Sequence, residues 1–592
     1  MKKLILISIC ATVTICGYLL VNDDFDLTSD EYKPINAKSV FKQKCIKCHS
    51  YLEKGDEYLI QMGYVKPKDP ARSMIFRYLK GANVDGPENM PPKYDFTNVE
   101  VNLIRDWINS LNVRVSSHKK VTVAAEDELS NREVFNRCSL QFTNLPSSLS
   151  AKHLVEDIDK KLITGSQACV QLLEQASLDE HGKLINNNKV TQAILLNFQK
   201  IHNNWFNEWN FFTSMSTWGT FEVLDPGSMG FFFTRSLFDK NHRIKSIFSG
   251  TDSYEGMRES QHQQKYLQYK FKEEPRYKID DYRFIYGLSI DGEYKKWSPS
   301  RVSSGTLIGV KKIASGRDIL PIIVNSKDNQ EEIKPAIEIE VNKDIHKGLG
   351  GGILGSENYV NLNLGQELGK SMDGGKIIPR RWAKAVVKEL LCRELPVIPV
   401  KRVRPFVQKS SSLSFRKKES CMGCHATMDN LAYLVRNVEQ AYSADAGGDG
   451  MIHSTHLRYH QPSTYLEEEK TAPDSDTNFH MRPAYGRFVY QDIYGKYHNK
   501  KVKNLDELGS IISDMDDFYL CTAKKYLNYL TGVDVSMSIF SLNSLSYKEQ
   551  YFKDLLEQSA QQMKKSGDLK DGMRTLIKSR VYNSRKFDVI KE

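Results

Sequence analysis

Cys45-Ile46-Lys47-Cys48-His49 stands near the start of the chain, and a second stretch of the same pattern, Cys421-Met422-Gly423-Cys424-His425, stands in its last third. Two cysteines separated by two residues and followed at once by histidine form the attachment pattern of c-type haem. Each thiol adds to one vinyl group of the porphyrin, and the adjacent imidazole becomes an axial ligand of the iron. The two stretches predict two covalently attached haem c groups, bound through Cys45, Cys48, Cys421 and Cys424, with His49 and His425 as iron ligands.

Zinc binding or a disulfide is the alternative interpretation of the two CxxC pairs. Structural zinc is commonly held by four cysteine ligands, which two such pairs would supply. Both pairs carry a trailing histidine, however, that an all-cysteine zinc site does not need. Haem attachment therefore explains more of the pattern.

The first 21 residues predict export from the cytoplasm. Met1-Lys2-Lys3 is a short basic start, and the apolar run from Leu4 to about Val21 is typical of a secretory signal. An uncleaved membrane anchor also fits, because about 17–20 apolar residues can span a bilayer, and Cys16 leaves a lipoprotein as a third outcome. Each outcome places the chain in the periplasm or anchored to the membrane facing it, where haem c is attached and disulfides persist.

Four further cysteines lie outside the signal region and the two motifs. An even number in an oxidising compartment indicates two disulfides. Cys138 with Cys169 is the local pairing and Cys392 with Cys521 the remaining one. Sequence alone leaves the other two connectivities open, and four buried thiols are a further alternative.

Residues 35–113 predict a small helical domain around the first motif. Phe41, Cys45 and Cys48 recur at helical spacing, which would turn one helix face to the porphyrin if a helix begins near residue 37. Thr97-x-x-Glu100 is a capping box that predicts the start of a closing helix with one apolar face.

The stretch Glu88-Asn89-Met90-Pro91-Pro92 lies between these two helices. With this order of elements, residues 35–113 resemble a small class I cytochrome c, and the resemblance implies that Met90 is the sixth ligand of the first iron. A thioether ligand favours reduced iron, and the two prolines stiffen the loop. Met62 and Met74 are the competing thioethers, and either could belong to the core.

The middle of the chain carries no recognisable catalytic motif. Residues 114–130 are polar and predict a linker, whereas residues 131–395 predict an α-rich region with some strands near 275–345. An aromatic cluster is more simply a packed helical core than a haem or ligand wall or an electron route. Its members are Trp205, Phe206, Trp209, Phe211, Phe212 and Trp218.

The C-terminal part divides into a second haem-binding region at 396–500 and a helical module at 501–592. Pro396, Pro399 and Pro405 predict an extended connection, and Gly486 to Lys501 predicts a hairpin. The run from Lys401 to Lys418 holds seven basic residues and no acidic one. It could steer an acidic redox partner towards the second haem, or it could be a solvated linker.

The order of motifs in this part resembles planctomycete-type multidomain cytochrome c proteins over roughly residues 380–592. The resemblance is carried by Leu391-Cys392, Glu394-Leu395-Pro396, the second CxxCH, Met428-Asp429, a cysteine-bearing helix at Phe518–Leu527 and a last helix from Leu569 to Arg585. Asn430 departs from the family, which usually has proline there. The resemblance implies an architecture, because no settled activity comes with the family's C-terminal domains.

The distal ligand of the second haem is the open question of the sequence. Met428 lies only three residues beyond His425, too close to reach over the porphyrin. His453 or His456 is the preferred candidate. Further candidates in the same stretch are His460, His480 and Met481.

The sequence as a whole predicts a mainly α-helical, exported dihaem c-type cytochrome that transfers electrons between periplasmic redox proteins, with no catalytic residue assigned. Its formal charge of +10 fits an acidic partner, and no motif indicates nucleic-acid binding. Two alternatives remain: a dihaem peroxidase or oxidase with an open coordination site at haem 2, and a substrate-specific redox binding protein.

Overall fold

The structure is a computed structural model, and it describes most of the chain in separate stretches. These are 36–45, 50–53, 55–81, 84–85, 95–111, 128–206, 228–239, 241, 243–258, 267–268, 287–288, 294–296, 306–314, 319–322, 348–364, 379–445, 452–460, 462, 466–467, 479–542 and 544–585. They form two compact units. The first contains the described residues up to 53 and those of 65–111, and the second contains 55–64 and everything after 111.

The described residues are mainly helical, as predicted. The α-helices are α1 (Ala37–Lys44), α2 (Asp56–Gln61), α3 (Met74–Arg77), α4 (Asn98–Ser110), α5 (Asn131–Thr143), α6 (Ser147–Ser150), α7 (Lys152–Asp159), α8 (Gly165–Gln175), α9 (Lys189–Asn203), α10 (Ser228–Phe238), α11 (Glu357–Leu364), α12 (Arg380–Ala385), α13 (Val400–Val403), α14 (Glu419–Ala432), α15 (Leu505–Asp514), α16 (Asp516–Thr531), α17 (Tyr547–Ser566) and α18 (Leu569–Ile577).

Shorter helical turns connect them. A π-helical turn spans Val386–Leu390, and 3₁₀ turns span Ser50–Glu53, Pro70–Arg72, Asn204–Phe206, Ile244–Phe248, Gly352–Gly355, Arg404–Phe406, Ser414–Lys417, Tyr433–Val435, Phe479–Met481 and Met537–Phe540.

The strands are β1 (Lys80–Gly81), β2 (Val84–Asp85), β3 (Asp252–Arg258), β4 (Leu267–Gln268), β5 (Gly287–Leu288), β6 (Tyr294–Lys296), β7 (Leu307–Ala314), β8 (Ile319–Ile322), β9 (Val438–Asp445), β10 (Ile452–His460), β11 (Gly486–Gln491) and β12 (Tyr497–Val502). β1 pairs with β2, β3 with β7 and β11 with β12, all antiparallel. β6 lies between β4 and β5. β10 lies between β8, which is parallel to it, and β9, which is antiparallel.

In the first unit, α1 and α4 pack against each other through Phe41 and Trp107, whose ring centroids are 5.3 Å apart. The predicted capping box is present, because Thr97 accepts from the Glu100 amide while the Glu100 carboxylate accepts from the Thr97 amide. Lys44 also binds Glu100, at 2.8 Å. The start of the closing helix is therefore fixed locally and by α1.

The second unit is a helical body with small sheets at its edges. α5 packs on α8, α9 on α10, and α16 and α18 on α17. Its two ends meet, because the amide of Leu129 donates to the carbonyl of Asn583 at 2.8 Å and Arg137 donates to the carbonyl of Ser584 at 3.2 Å. Leu129, near the end of the predicted linker, and Arg137 on α5 thus bind the last described residues of the chain.

Several local predictions can be checked in this unit. The Gly486 to Lys501 hairpin is confirmed by β11 and β12. Strands do occur at 287–322, within the predicted range near 275–345, but β3 begins earlier, at Asp252. The extended connection predicted from the three prolines reaches only to Pro399, because Val400–Val403 and Arg404–Phe406 are helical. Pro399 is the N-cap of α13 and Pro405 lies in the first turn of a 3₁₀ helix, positions that tolerate a residue without an N–H.

In the described residues, no helix is both long and apolar enough to cross a membrane. The predicted signal or anchor at 1–21 and the predicted linker, apart from Glu128 to Ser130, lie outside those residues.

Candidate haem sites

The second CxxCH motif lies entirely on helix α14. Cys421, Cys424 and His425 are spaced three and one apart, which brings them to one side of the helix. All three are partly exposed, whereas Met422 and Ala426 beside them are buried in the core. The helix therefore places its two thiols and its imidazole at the margin of the packed interior, with Cys424 in contact with the core.

Hydrogen bonds to neighbouring elements hold α14 in place. Thr427 donates its hydroxyl to the carbonyl of Val489 on β11 at 2.7 Å. Asn430 lies inside the helix and donates to the carbonyl of Ala426 at 2.7 Å. The helix accordingly runs on without a break to Ala432.

The imidazole of His425 is oriented from two sides. Its Nδ1 lies 3.0 Å from Oδ1 of Asp429, one turn further along the helix. The ring of Phe415 lies against it, with centroids 4.4 Å apart. Among the described residues Nε2 of His425 has no hydrogen-bond partner. That nitrogen is therefore available to bind a metal.

Asp429 is almost completely buried and is bound by two arginines. Arg380 donates through Nε to Oδ1 at 2.7 Å, and Arg416 lies 3.7 Å from Oδ2. Burial alone raises the pKa of the Asp429 carboxyl, but the hydrogen bond from His425 and the Arg380 guanidinium outweigh it and lower that pKa below its usual value. Asp429 is therefore ionised at neutral pH.

The motif's cysteines lie in different surroundings from the histidine. Burial raises the pKa of the Cys424 thiol to about 12, the nearby Cys421 thiol adds to the effect, and Lys384 opposes it. Gly423 between them is closely covered. A β-carbon at this position would lie 3.3 Å from the hydroxyl of Tyr64 and 3.6 Å from Cβ of Pro396. A larger residue in the middle of the motif would press on both neighbours.

The donor set at this site fits haem c. Two thiols and an imidazole with an available Nε2 lie on one face of a helix, which is the set that covalent attachment and proximal ligation need. Nε of the buried Arg416, whose guanidinium lies 3.7 Å from Asp429, has no hydrogen-bond partner among the described residues. In the part of the chain that the structure describes, no cluster of three or more metal-binding side chains is present.

Only part of the first haem site lies in the described residues. Cys45 directly follows α1, and its amide donates to the carbonyl of Phe41 at 2.8 Å. Cys48, His49 and Met90 lie outside the described stretches. The predicted helix through Cys48 is thus described only to Lys44, and Phe41, expected at the porphyrin, is buried against Trp107.

One buried polar atom in the first unit also fits a bound group. Nε1 of Trp107 is buried and has no hydrogen-bond partner among the described residues. An indole N–H in that position normally finds an acceptor. The competing thioethers Met62 and Met74 are both buried, and Met62 belongs to the second unit.

The distal candidates of haem 2 lie on a strand. His453 and His456 are on β10, where their backbones pair with Ala444 and Ala441 of β9. The structure describes their backbones only, so neither is assigned as a ligand. His480 follows in a 3₁₀ turn, and its Nδ1 lies 2.6 Å from the carbonyl of Arg436.

Both disulfides join the cysteines that the sequence pairs. Cys138 on α5 is bonded to Cys169 on α8, and Cys392, just after the π-helical turn, is bonded to Cys521 on α16. The alternative connectivities and the buried-thiol interpretation are therefore wrong for these four residues.

The aromatic cluster, as far as it is described, is a packed core. Trp205 contacts the rings of His202, Phe233 and Tyr526, with centroids about 5 Å apart. Trp209, Phe211, Phe212 and Trp218 lie outside the described residues. The core interpretation is confirmed for Trp205 and, from its burial, for Phe206.

A buried polar group in this core was missed by sequence reasoning. His202 is fully buried between the hydroxyls of Thr234 and Tyr526, each 2.9 Å from a ring nitrogen. Lys525 lies 5.0 Å from the ring of Trp205, and burial lowers its pKa to about 7 although Glu389 opposes the shift. No motif marks these residues, because they come from helices far apart in the chain.

Comparison with known proteins identifies no family for this chain. Over 110 residues the chain is 29% identical to the LPS-assembly protein LptD of Acinetobacter baylyi. The aligned part covers 18% of this chain and 13% of LptD, so it shows no family. No protein-family model matches the chain, and no solved structure matches it.

Proposed function

We propose that this protein is an exported dihaem c-type cytochrome that transfers electrons between periplasmic redox proteins. The observation that supports this most is the arrangement on α14, where two thiols and an oriented imidazole with an available Nε2 share one side of a helix. The first CxxCH, with Met90 as its expected distal ligand, would hold haem 1. Both disulfides are in keeping with export.

The chain's own residues would hold and orient the haem groups. A bound haem c supplies reversible one-electron chemistry at its iron. Cys421 and Cys424 would fix the porphyrin edge, and His425 would ligate the iron through Nε2. Phe415 lies against one face of that imidazole.

The basic run beside the second motif supports an acidic redox partner. Lys401, Arg402, Arg404, Lys409 and Lys417 are exposed. Arg404 makes one ion pair, 3.3 Å from Glu419 at the start of α14, which ties the run to the motif's helix. Clustered exposed charges of one sign accelerate encounter with a partner of the opposite sign.

The resemblances noted in the sequence extend the proposal to architecture. Residues 35–113 would adopt a class I cytochrome c-like fold, and the C-terminal part would be a haem module like that of planctomycete-type multidomain cytochrome c proteins. The short similarity to LptD carries no function to this chain, because it covers so small a share of either protein.

The test is covalent haem content in the exported protein. Mass spectrometry and a pyridine haemochrome assay should give two haems per wild-type chain. Cys421→Ala with Cys424→Ala should leave one haem, and so should Cys45→Ala with Cys48→Ala as the matched variant at the other motif. Wild-type protein that carries no covalent haem, or binds zinc at these cysteines, would overturn the proposal.

The bond between His425 and Asp429 favours peroxidase chemistry as a second candidate function. A carboxylate partner makes an imidazole ligand a better electron donor, and an electron-rich proximal ligand favours O–O bond cleavage. If haem 2 has an open face, its iron should be high-spin and the protein should turn over peroxide. A fully low-spin spectrum in both oxidation states without peroxide turnover would exclude this candidate.

A further inference from the structure

We infer that Asp429 is a positioning residue for the second haem: it keeps the proton of His425 on Nδ1 and directs Nε2 towards the iron. The inference rests on the proposed function, because it concerns the ligand of a haem attached at Cys421 and Cys424. It adds to that proposal a residue outside the CxxCH motif that sets the properties of the iron.

The first step is the position of the proton. Nδ1 of His425 and Oδ1 of Asp429 are 3.0 Å apart, within hydrogen-bond distance. The same Oδ1 accepts from Nε of Arg380, so it acts as an acceptor and the imidazole donates to it through Nδ1. In a neutral imidazole the other nitrogen then carries the lone pair, which is the form a metal binds.

The second step is the rigidity of the acceptor. Asp429 is 4% exposed and its Oδ1 also accepts from Nε of Arg380 at 2.7 Å. Arg416 lies on the side of Oδ2 and donates to the hydroxyl of Tyr433 at 3.3 Å. The carboxylate is thus held by groups from two other elements, α12 and the turn before α14.

The third step is the orientation of the ring itself. Phe415 packs on the imidazole, and the guanidinium of Arg380 lies 5.3 Å from the centroid of Phe415. Arg380 therefore contacts both groups that orient His425. Together Asp429, Phe415 and Arg380 restrict rotation of the ring about its side-chain bonds, so the direction of Nε2 is set before any metal binds.

The consequence is a change in the electronics of the bound iron. A carboxylate that accepts from the far nitrogen of a ligating imidazole raises the basicity of the ligand. A more basic ligand stabilises the ferric over the ferrous state, so the reduction potential of haem 2 should be lower than it would be with a neutral acceptor.

The experiment compares reduction potentials in the full-length dihaem protein. Asp429→Asn keeps an acceptor of the same size but removes its charge. Spectroelectrochemical titration should show the potential of haem 2 raised and that of haem 1 unchanged, and the electron paramagnetic resonance g values of haem 2 should shift with it. Both haems should remain attached, because Cys421 and Cys424 are untouched.

A matched control is available in the same unit. Asp492 accepts from His498, with Oδ2 and Nε2 2.9 Å apart, but this pair is not part of a CxxCH motif. Asp492→Asn should leave both potentials where they are in the wild type. A general loosening of the unit would shift the reduction potential of haem 2 in both variants. A positioning role of Asp429 shifts that potential only in Asp429→Asn.

The outcomes separate the inference from the proposed function. Wild-type protein without haem at Cys421 and Cys424 contradicts the proposed function itself. Attached haem with the same potential and g values in Asp429→Asn and wild type overturns the inference alone. If Asp429→Asn does not fold, Arg380→Gln removes the guanidinium that neutralises the carboxylate and leaves the charge of the carboxylate in place. It should lower the potential of haem 2, because a less neutralised carboxylate makes the imidazole more basic and a positive charge near the iron is lost. An unchanged potential would again count against the inference.

Discussion

At the scale of single residues, His202 shows how strongly the core of the second unit depends on a protonation state. The ring is fully buried between Thr234 and Tyr526. Burial, with Lys525 adding to it, lowers the pKa of His202 to about 3. The unfolded chain would begin to protonate this imidazole near pH 6.5, whereas the folded state keeps it neutral until the pH falls to about 3.

His202→Gln should destabilise the protein more at pH 7.5 than at pH 5. Near pH 7.5 the loss of two buried hydrogen bonds costs about 1–3 kcal/mol. The depressed pKa means that the stability His202 contributes is complete above about pH 6.5 and is lost as pH falls towards 3, by about 1.4 kcal/mol per unit. The difference in unfolding free energy between variant and wild type should thus shrink by about 2 kcal/mol at pH 5.

Guanidinium unfolding at the two pH values measures this difference. The matched control is His153→Gln on α7, because His153 is exposed and should change stability little at either pH. The difference in unfolding free energy between His202→Gln and wild type could instead stay constant from pH 7.5 to pH 5. That result would show that the imidazole is not held neutral by burial.

At the scale of elements, the end of the helix formed by α12 and its π-helical turn is fixed by α16. The carbonyl of Glu389 accepts from Nζ of Lys525 at 2.5 Å, so a side chain satisfies one of the carbonyls that a helix end leaves without a partner. One turn earlier on α16, Cys521 is bonded to Cys392. The Cys392–Cys521 disulfide and the Lys525 side chain therefore both hold the end of this helix against α16.

Removing the disulfide at this junction should cost more stability than removing the other one. Cys392 and Cys521 are 129 positions apart, and Cys138 and Cys169 only 31. Loop-closure entropy predicts about 5 kcal/mol for the longer loop and about 4 kcal/mol for the shorter. Double Cys→Ala variants at each pair should therefore both unfold at lower temperature, and the Cys392/Cys521 variant should unfold first.

Scanning calorimetry of the two double variants gives the order. Equal melting temperatures, or a lower one for the Cys138/Cys169 variant, would mean that packing around the bond matters more than the length of the loop it closes.

At the scale of the whole molecule, the segment 55–64 does not stay with the domain that the sequence predicts for it. The hydroxyl of Tyr58 donates to the carbonyl of Pro396 at 2.8 Å, and the amide of Val400 donates to the carbonyl of Met62 at 3.1 Å. The segment therefore belongs to the second unit, although it lies between Cys48 and Met90 in the chain.

Cutting the chain in the predicted linker should leave the two pieces bound to each other. A specific protease site placed between Lys119 and Lys120 would separate residues 55–64 covalently from the unit in which they are buried. The pieces should co-elute in size-exclusion chromatography after cleavage. Tyr58→Ala should weaken this association, since truncating a large buried side chain costs about 3–5 kcal/mol, whereas Val99→Ala at an exposed site should not.

Complete separation of the wild-type pieces at micromolar concentration would show that the segment's contacts are too weak to hold them. If the Tyr58→Ala pieces co-elute down to the same protein concentration as the wild-type pieces, Tyr58 does not contribute to their association.

The features predicted correctly from sequence are those decided within a few residues. The capping box at Thr97 and the hairpin after Gly486 each depend on neighbours in the chain. The i, i+4 spacing of His425 and Asp429 on a helix could also have predicted their contact.

What sequence reasoning missed is decided by partners far apart in the chain. Arg380 is 49 positions from Asp429, and Tyr58 is 338 from Pro396. No local pattern encodes such a pairing, because it depends on how whole helices pack. The sequence thus predicted a role for the residues of the second motif and left unassigned the residues that surround them in the structure.

The pairing of Leu129 with Asn583 has a consequence for how the protein is made. The segment that begins the helical body cannot find its partner until residue 583 has been synthesised, so the second unit cannot close before that point. If the chain is exported and carries haem c at the second motif, as we propose, the unit would still be open while the residues before 583 cross the membrane. The thiol of Cys424 would be accessible for haem attachment during that time.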